Sequence, residues 1–149
     1  MNLDNFTPES FFCFYVAFLR SLYLIHQNNH WKVKGNYFYS NHQLFQRLYE
    51  KAQSNADSAA EKMIGLFTDK SFNVAEQTNC INSILSNFTD EDEIANSLKA
   101  EKTFLRVSEK FYEFMKDNNK MTLGLDDLIM SIHNDSEEAV YLLQQSKED

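Results

Sequence analysis

Residues 42–63 read His42-Gln-Leu-Phe45-Gln-Arg-Leu-Tyr49-Glu-Lys-Ala52-Gln-Ser-Asn-Ala56-Asp57-Ser-Ala59-Ala-Glu61-Lys-Met63. Phe45, Tyr49, Ala52, Ala56, Ala59 and Met63 recur at alternating steps of four and three, the mark of one helical face. The alanines in the middle of the stripe allow another helix to approach closely. The predicted helix starts between Tyr37 and His42, with Ser40 and Gln43 spaced for a capping box, and runs to about Phe67.

On its N-terminal side lies a second periodic stretch. Thr7 can cap, Pro8 suits the first helical position, and Glu9 favours the positive end of the helix dipole. Phe11, Phe14, Tyr15, Phe18, Leu22 and Ile25 then hold one apolar face, and Gly35 offers a left-handed cap near Lys34-Gly35-Asn36. The run from Phe11 to Ile25 is too short to span a bilayer, has no positive flank before it and contains Arg20, so it reads as a buried helix. On the C-terminal side, Thr68 to Thr89 lacks a long period and reads as a crossover, with a short helix near Ile81–Leu85. A third helix follows the acidic start Thr89-Asp90-Glu91-Asp92, carries Ile94, Leu98, Leu105, Tyr112 and Met115, and ends at Asn118-Asn119. A fourth runs from about Leu123 to Gln145 with Leu125, Leu128, Ile132, Ala139 and Leu143 inward.

Two helices, one long crossover and two more helices make an all-α, ferritin-like four-helix bundle. The 149 residues suit one domain, 1–149, with residues 1–6 and 146–149 as loose ends. Three glycines and one proline are too few for the turns of a β-sandwich or the crossings of a doubly wound sheet. With 14 Lys+Arg against 22 Asp+Glu the net charge is −8, and neither terminus has a basic arm, which disfavours a dedicated nucleic-acid binder. Cys13 and Cys80 stand far apart in the chain and form no CxxC, so a reducing cytoplasm is the expected compartment.

The histidines are His26, His30, His42 and His133. None follows a glutamate by three residues, so the Glu-x-x-His di-iron site within one chain is excluded. His30 closes the first helix, His42 opens the second, and Asp57 and Glu61 lie at i and i+4 further along it. Imidazole with carboxylate suits Fe(II), Zn(II) or Mn(II) rather than a soft metal. Fifteen residues separate His42 from Asp57, about 22 Å along a helix, so one straight helix cannot bring them to one ion. An antiparallel copy about a two-fold axis can, giving two equivalent sites per dimer. The rotation agrees: Asp57 is about 60° and Glu61 about 100° from His42 around the axis. His26, one turn before His30, either joins it on a metal or belongs to a core hydrogen-bond network, the network being favoured. His133 reads as structural. Asp126 and Asp127 open the fourth helix, where first-turn acids favour the helix dipole.

The stretch His26-Gln-Asn-Asn-His30-Trp31-Lys-Val-Lys-Gly35-Asn-Tyr-Phe38, then His42-Gln-Leu-Phe, Tyr49, Asp57 and Ala60-Glu-Lys-Met-Ile, resembles the Dps family, the mini-ferritins. The ligand spacings of 12, 15 and 4 match that family, and Tyr141 stands where its last helix usually has an aromatic; Thr68 to Thr89 matches poorly. The resemblance implies a cytoplasmic hollow dodecamer, built from two-fold dimers and not attached to a membrane. It implies a ferroxidase site, binding two iron ions, at each dimer interface. Fe(II) and hydrogen peroxide would be the substrates and a ferric mineral the product, with Zn or Mn as possible substitutes. His30 and His42 would come from one subunit, Asp57 and the bridging Glu61 from its mate, with Trp31 near enough to quench radicals. Asp126 and Asp127 would line an acidic iron-entry pore, the alternative being ordinary first-turn acids. Two departures stand out. Gln46 occupies the place of an acid that often helps hold the second iron, so that iron is expected to bind weakly. The lysine-rich tail of DNA-compacting members is missing, so direct DNA binding is not expected. The alternatives are a non-enzymatic DNA-coating nucleoid protein and a structural bundle with a relic metal site.

Overall fold

The computed structural model describes residues 2–67 and 72–147, and there it consists of helices and their connections, with no strand. Helix α1 spans Pro8–Lys32, α2 Phe38–Leu66, α3 Val74–Leu85, α4 Glu93–Asp117 and α5 Leu123–Gln145. α1 packs on α2, α3 and α4, while α5 packs on α4 and α2. The result is a four-helix bundle with α3 laid along it in the connection between α2 and α4.

Most starts follow from the sequence. Thr7 Oγ1 accepts from the Ser10 amide, and Ser10 Oγ accepts from the Thr7 amide, a reciprocal capping box. Asp92 caps α4 through the Ala95 amide, and Thr122 caps α5 through that of Leu125. α2 falls within its expected span but without the expected cap. It starts at Phe38 after Tyr37, with no side-chain cap, so Ser40 lies inside the first turn and its hydroxyl donates back to the Tyr37 carbonyl. The Ser40–Gln43 capping box does not form; the Gln43 amide donates to the Tyr39 hydroxyl instead.

α1 ends at Lys32, earlier than Gly35, because Val33 turns extended and is buried in the core. Gly35 (φ +97°) takes the left-handed position in the turn to α2. The crossover is more helical than its polar composition suggests. Asn73 caps α3, and Gln77, Ile81 and Ile84, spaced four and three apart, seat it on the bundle. Residues 68–71, the first part of that connection, lie outside the described residues.

On α4 the buried stripe runs through Ile94, Leu98, Phe104, Val107, Phe111 and Met115, whereas Leu105 and Tyr112 are only half-buried. A seven-residue step drifts by about 20° on a straight helix, so a stripe following 98, 105 and 112 rotates away from the core. α5 matches its predicted span, with Leu125, Ile132, Ala139 and Leu143 buried and Leu128 half-buried. At the N-terminal end, Leu3–Asn5 form a 3-10 turn and Phe6 stacks on Phe11 at 4.6 Å.

The core has two parts. The larger is aromatic: Tyr15 lies stacked 4.4 Å from Phe111 and 5.4 Å from Phe104, with Phe11 and Phe12 beside them. The smaller gathers Val33, Phe45, Leu48, Ile94, Leu98, Ala139 and Leu143. Along α1, α4 and α5, a buried polar band of His26, Asn29, Ser97, Glu101 and Ser136 falls between the two. α1 is long and apolar enough to cross a membrane by composition, but its apolar face is spent on this core.

Candidate metal centre

The turn from α1 to α2 brings His30 and His42 together. Their rings stack with centroids 3.6 Å apart at 16°. His30 Nδ1 lies 2.7 Å from the His42 carbonyl oxygen, and His42 Nδ1 lies 2.8 Å from the His30 carbonyl oxygen. A carbonyl can only accept, so both rings carry their proton on Nδ1. In each neutral ring the lone pair therefore sits on Nε2. The His30 carbonyl is one of the last four of α1, which have no helical donor of their own, so the His42 ring also caps that helix. Phe38 stacks on His42 at 4.9 Å, Tyr49 meets His30 edge-on at 5.2 Å, and Tyr23 meets Tyr49 at 5.7 Å. His30 is buried and His42 half-buried. Two directed imidazole donors of this kind are held as metal-ligating histidines are held, with the second ring nitrogen donating to a carbonyl.

Asp57 and Glu61 are exposed on α2, about 22 Å and about 28 Å along the axis from His42. Asp57 borders a cavity of about 330 Å³ together with Arg20, Tyr23, Leu24 and Gln53. One chain therefore brings the histidines together and leaves the two carboxylates far from them. Among the described residues no group of three or more His, Cys, Asp or Glu is placed to hold a metal.

The remaining candidates have other partners. Gln46 Nε2 donates to Glu50 Oε1 at 3.0 Å on the surface of α2. His26 is fully buried, with Nε2 2.7 Å from Glu101 Oε1 and Nδ1 2.9 Å from Ser97 Oγ. Both its nitrogens are engaged within the core, so it has no lone pair to offer a metal. Ser136 donates to the other Glu101 oxygen, and Asn29 donates to Ser97 Oγ at 2.8 Å and to the Glu93 carbonyl at 3.2 Å. His133 Nε2 stands 4.0 Å from Glu109 Oε1. The Asp126 carboxyl beside Tyr112, above all, holds that phenol above its ordinary value. Asp127 is exposed in the first turns of α5.

The reciprocal carbonyl bonds of the histidines escaped the sequence reading. Their only trace there is the twelve-residue spacing across a glycine turn. Phe38 and Tyr49 stood in the quoted pattern without an assigned place beside the rings.

Among solved structures, this chain is similar to that of Dps from Microbacterium arborescens in the high iron form. The TM-score is 0.74 at 19% identity, over 91% of this chain and 89% of that one. The chain has a Dps-like fold. No protein-family model matches the sequence, and no curated protein matches it. At this identity the Dps-like likeness is one of architecture, the ferritin-like bundle with its long connection between the second helix and the last pair.

Proposed function

We propose that the protein is an iron-oxidising, iron-storing mini-ferritin whose ferroxidase sites form between two copies of the chain. The observation that carries this reading is the His30–His42 pair, with both Nδ1 protons fixed on carbonyls and both Nε2 lone pairs left for a ligand. A second copy, antiparallel about a two-fold axis, would bring its Asp57 and Glu61 to that pair and complete a His₂–carboxylate₂ set for Fe(II). Leu24, Trp31, Tyr39 and Ile64 are large apolar side chains exposed on the α1–α2 hairpin, and Trp31 is 67% exposed. They supply the apolar surface such a dimer needs.

Fe(II) is substrate here. Two Fe(II) give one electron each to hydrogen peroxide, whose O–O bond breaks; with two protons taken up, the products are two Fe(III) and two water molecules. The neutral imidazoles accept the cation without adding charge, and the carboxylates offset the higher charge of Fe(III). The net charge of −8 favours gathering cations at the particle surface and in its interior. Oligomerisation to a hollow dodecamer, storage of the ferric product and a cytoplasmic setting belong to the same proposal. Direct DNA binding does not, because a net charge of −8 disfavours contact with phosphates.

Anaerobic Fe(II) loading followed by peroxide tests it, with ferric absorbance and particle size read together. Fast oxidation in a large particle, slowed about 100-fold or more in His30→Ala and in Asp57→Ala, is expected. Oxidation at the buffer rate by a monomer would leave a structural bundle. Gln46→Glu is expected to raise the tightly bound Fe(II) from one to two per site, measured by anaerobic titration.

A further inference from the structure

Three sulfur-bearing residues lie where α1 packs on α2 and α3. The Cys13 thiol on α1 donates to the Met63 thioether on α2, Sγ to Sδ 3.8 Å. Cys80 on α3 lines the same cavity as Cys13, about 370 Å³ in volume. The two thiols are near enough that Cys80 bears on Cys13: burial first, then Cys80 and Glu76, push the Cys13 thiol up. Burial pushes the Cys80 thiol up as well. They are not joined in a disulfide. Glu9 and Glu76 border the cavity. Met63 is fully buried behind Cys13, while both cysteines are half-buried.

We propose that Cys13, Met63 and Cys80 form a binding site for a soft monovalent cation, Cu(I) or its analogue Ag(I). Two thiolates and a thioether are the donor set that such an ion prefers over hard cations. Two sulfurs bound to one ion at about 2.3 Å and about 120° apart lie about 4 Å from each other, and the Cys13–Met63 pair already has that separation. In the absence of a cation, burial favours the protonated form of both thiols; a cation bound there favours the thiolates, so binding releases protons. Glu9 and Glu76 favour a cation at the open side of the cavity. Cys13 and His30 are seventeen residues apart on α1, about 25 Å, so this sulfur site is separate from the histidine pair and independent of the iron proposal.

The test is anaerobic titration of the reduced full-length protein with Cu(I), in competition with a chromogenic Cu(I) chelator. One Cu(I) per chain is expected. Cys13→Ser and Cys80→Ser are each expected to lower affinity about 100-fold, and the volume-conserving Met63→Leu about 10-fold. His30→Ala should leave the affinity unchanged. Bound Cu(I) should also slow alkylation of both cysteines. Wild-type affinity no greater than that of the Cys13→Ser/Cys80→Ser double variant would overturn the proposal, as would affinity indifferent to Met63→Leu. Equal alkylation rates with and without Cu(I) would overturn it too. Circular dichroism checks that each variant is folded, and Cys80→Ser, on the outlying α3, keeps the test decisive if Met63→Leu does not fold.

Discussion

The end of the bundle around Tyr15 and the end around His30 are built on different terms. At the first, Tyr15, Phe11, Phe12, Phe104 and Phe111 fill the space with rings that bury large areas and pack in several orientations. At the second, the apolar cluster is smaller, and a buried polar band ties α1 to α4 and α5 by bonds that hold in only one arrangement. An aromatic core contributes energy with little demand on direction; a hydrogen-bonded band contributes direction with little net energy. The histidine pair stands at the directional end. His26, Asn29 and His30 lie within four residues of one another on α1, so the band that fixes two of them against α4 also sets the rotation of the turn that presents the third. The comparison teaches where this fold concentrates cohesion and where it concentrates aim.

The largest expected effect breaks the first end. Phe111→Ala should cost about 4 kcal/mol of stability by leaving a cavity among rings. Chemical denaturation measures it. Glu101→Ala should cost about 3 kcal/mol, because His26 and Ser136 lose a buried partner. The sharper contrast is rescue: His26→Leu combined with Glu101→Met should recover part of that loss, since it removes the buried ionisable pair and leaves only the Ser97 and Ser136 hydroxyls to find other acceptors. The same double variant should still slow iron oxidation, because it removes the bonds that orient α1. A double variant as unstable as Glu101→Ala would contradict this division of labour. Asp92→Ala, which removes the cap of α4 near the polar end, should cost about 1 kcal/mol, or roughly 2–4 °C in Tm.

The smallest effect concerns pH. Burial holds the Tyr15 phenol well above its ordinary value, with the Ser108 hydroxyl acting weakly the other way. The folded chain then keeps a proton that the unfolded chain loses above about pH 10, so stability falls as pH rises past that point. Tyr15→Phe should flatten that part of the profile, as urea melts at a series of alkaline pH values would show.

Much of this was legible in the sequence because helical periodicity is a strong signal over long stretches. The stripe from Phe45 to Met63, the Thr7-Pro8 start and the Leu123–Gln145 span all read directly. α3 was legible only in part, because twelve residues rich in Asn, Gln and Thr have weak intrinsic preference and take their stability from packing on α1. The stripe on α4 was misread at Leu105 and Tyr112, since a seven-residue step resembles a helical face but drifts around it. At the candidate site, the spacing of His30 and His42 across the glycine turn pointed to the pairing of their rings, yet the carbonyl partners that fix the rings are backbone atoms with no residue type to announce them. The polar band was half-visible: His26 was marked, but Glu101, Ser97 and Ser136 lie on helices whose rotation the sequence left open.

The central claim is that each site draws its histidines from one chain and its carboxylates from another. The most direct measurement mixes two variants, His42→Ala and Asp57→Ala, each expected to be inactive alone, after dissociation and reassembly. In a mixed dimer, the His30–His42 pair of the Asp57→Ala chain meets the intact Asp57 and Glu61 of the His42→Ala chain. With random pairing, roughly a quarter of wild-type ferroxidase sites should therefore return. Activity that stays at the level of the separate variants, in particles shown by mass spectrometry to contain both chains, would contradict the account.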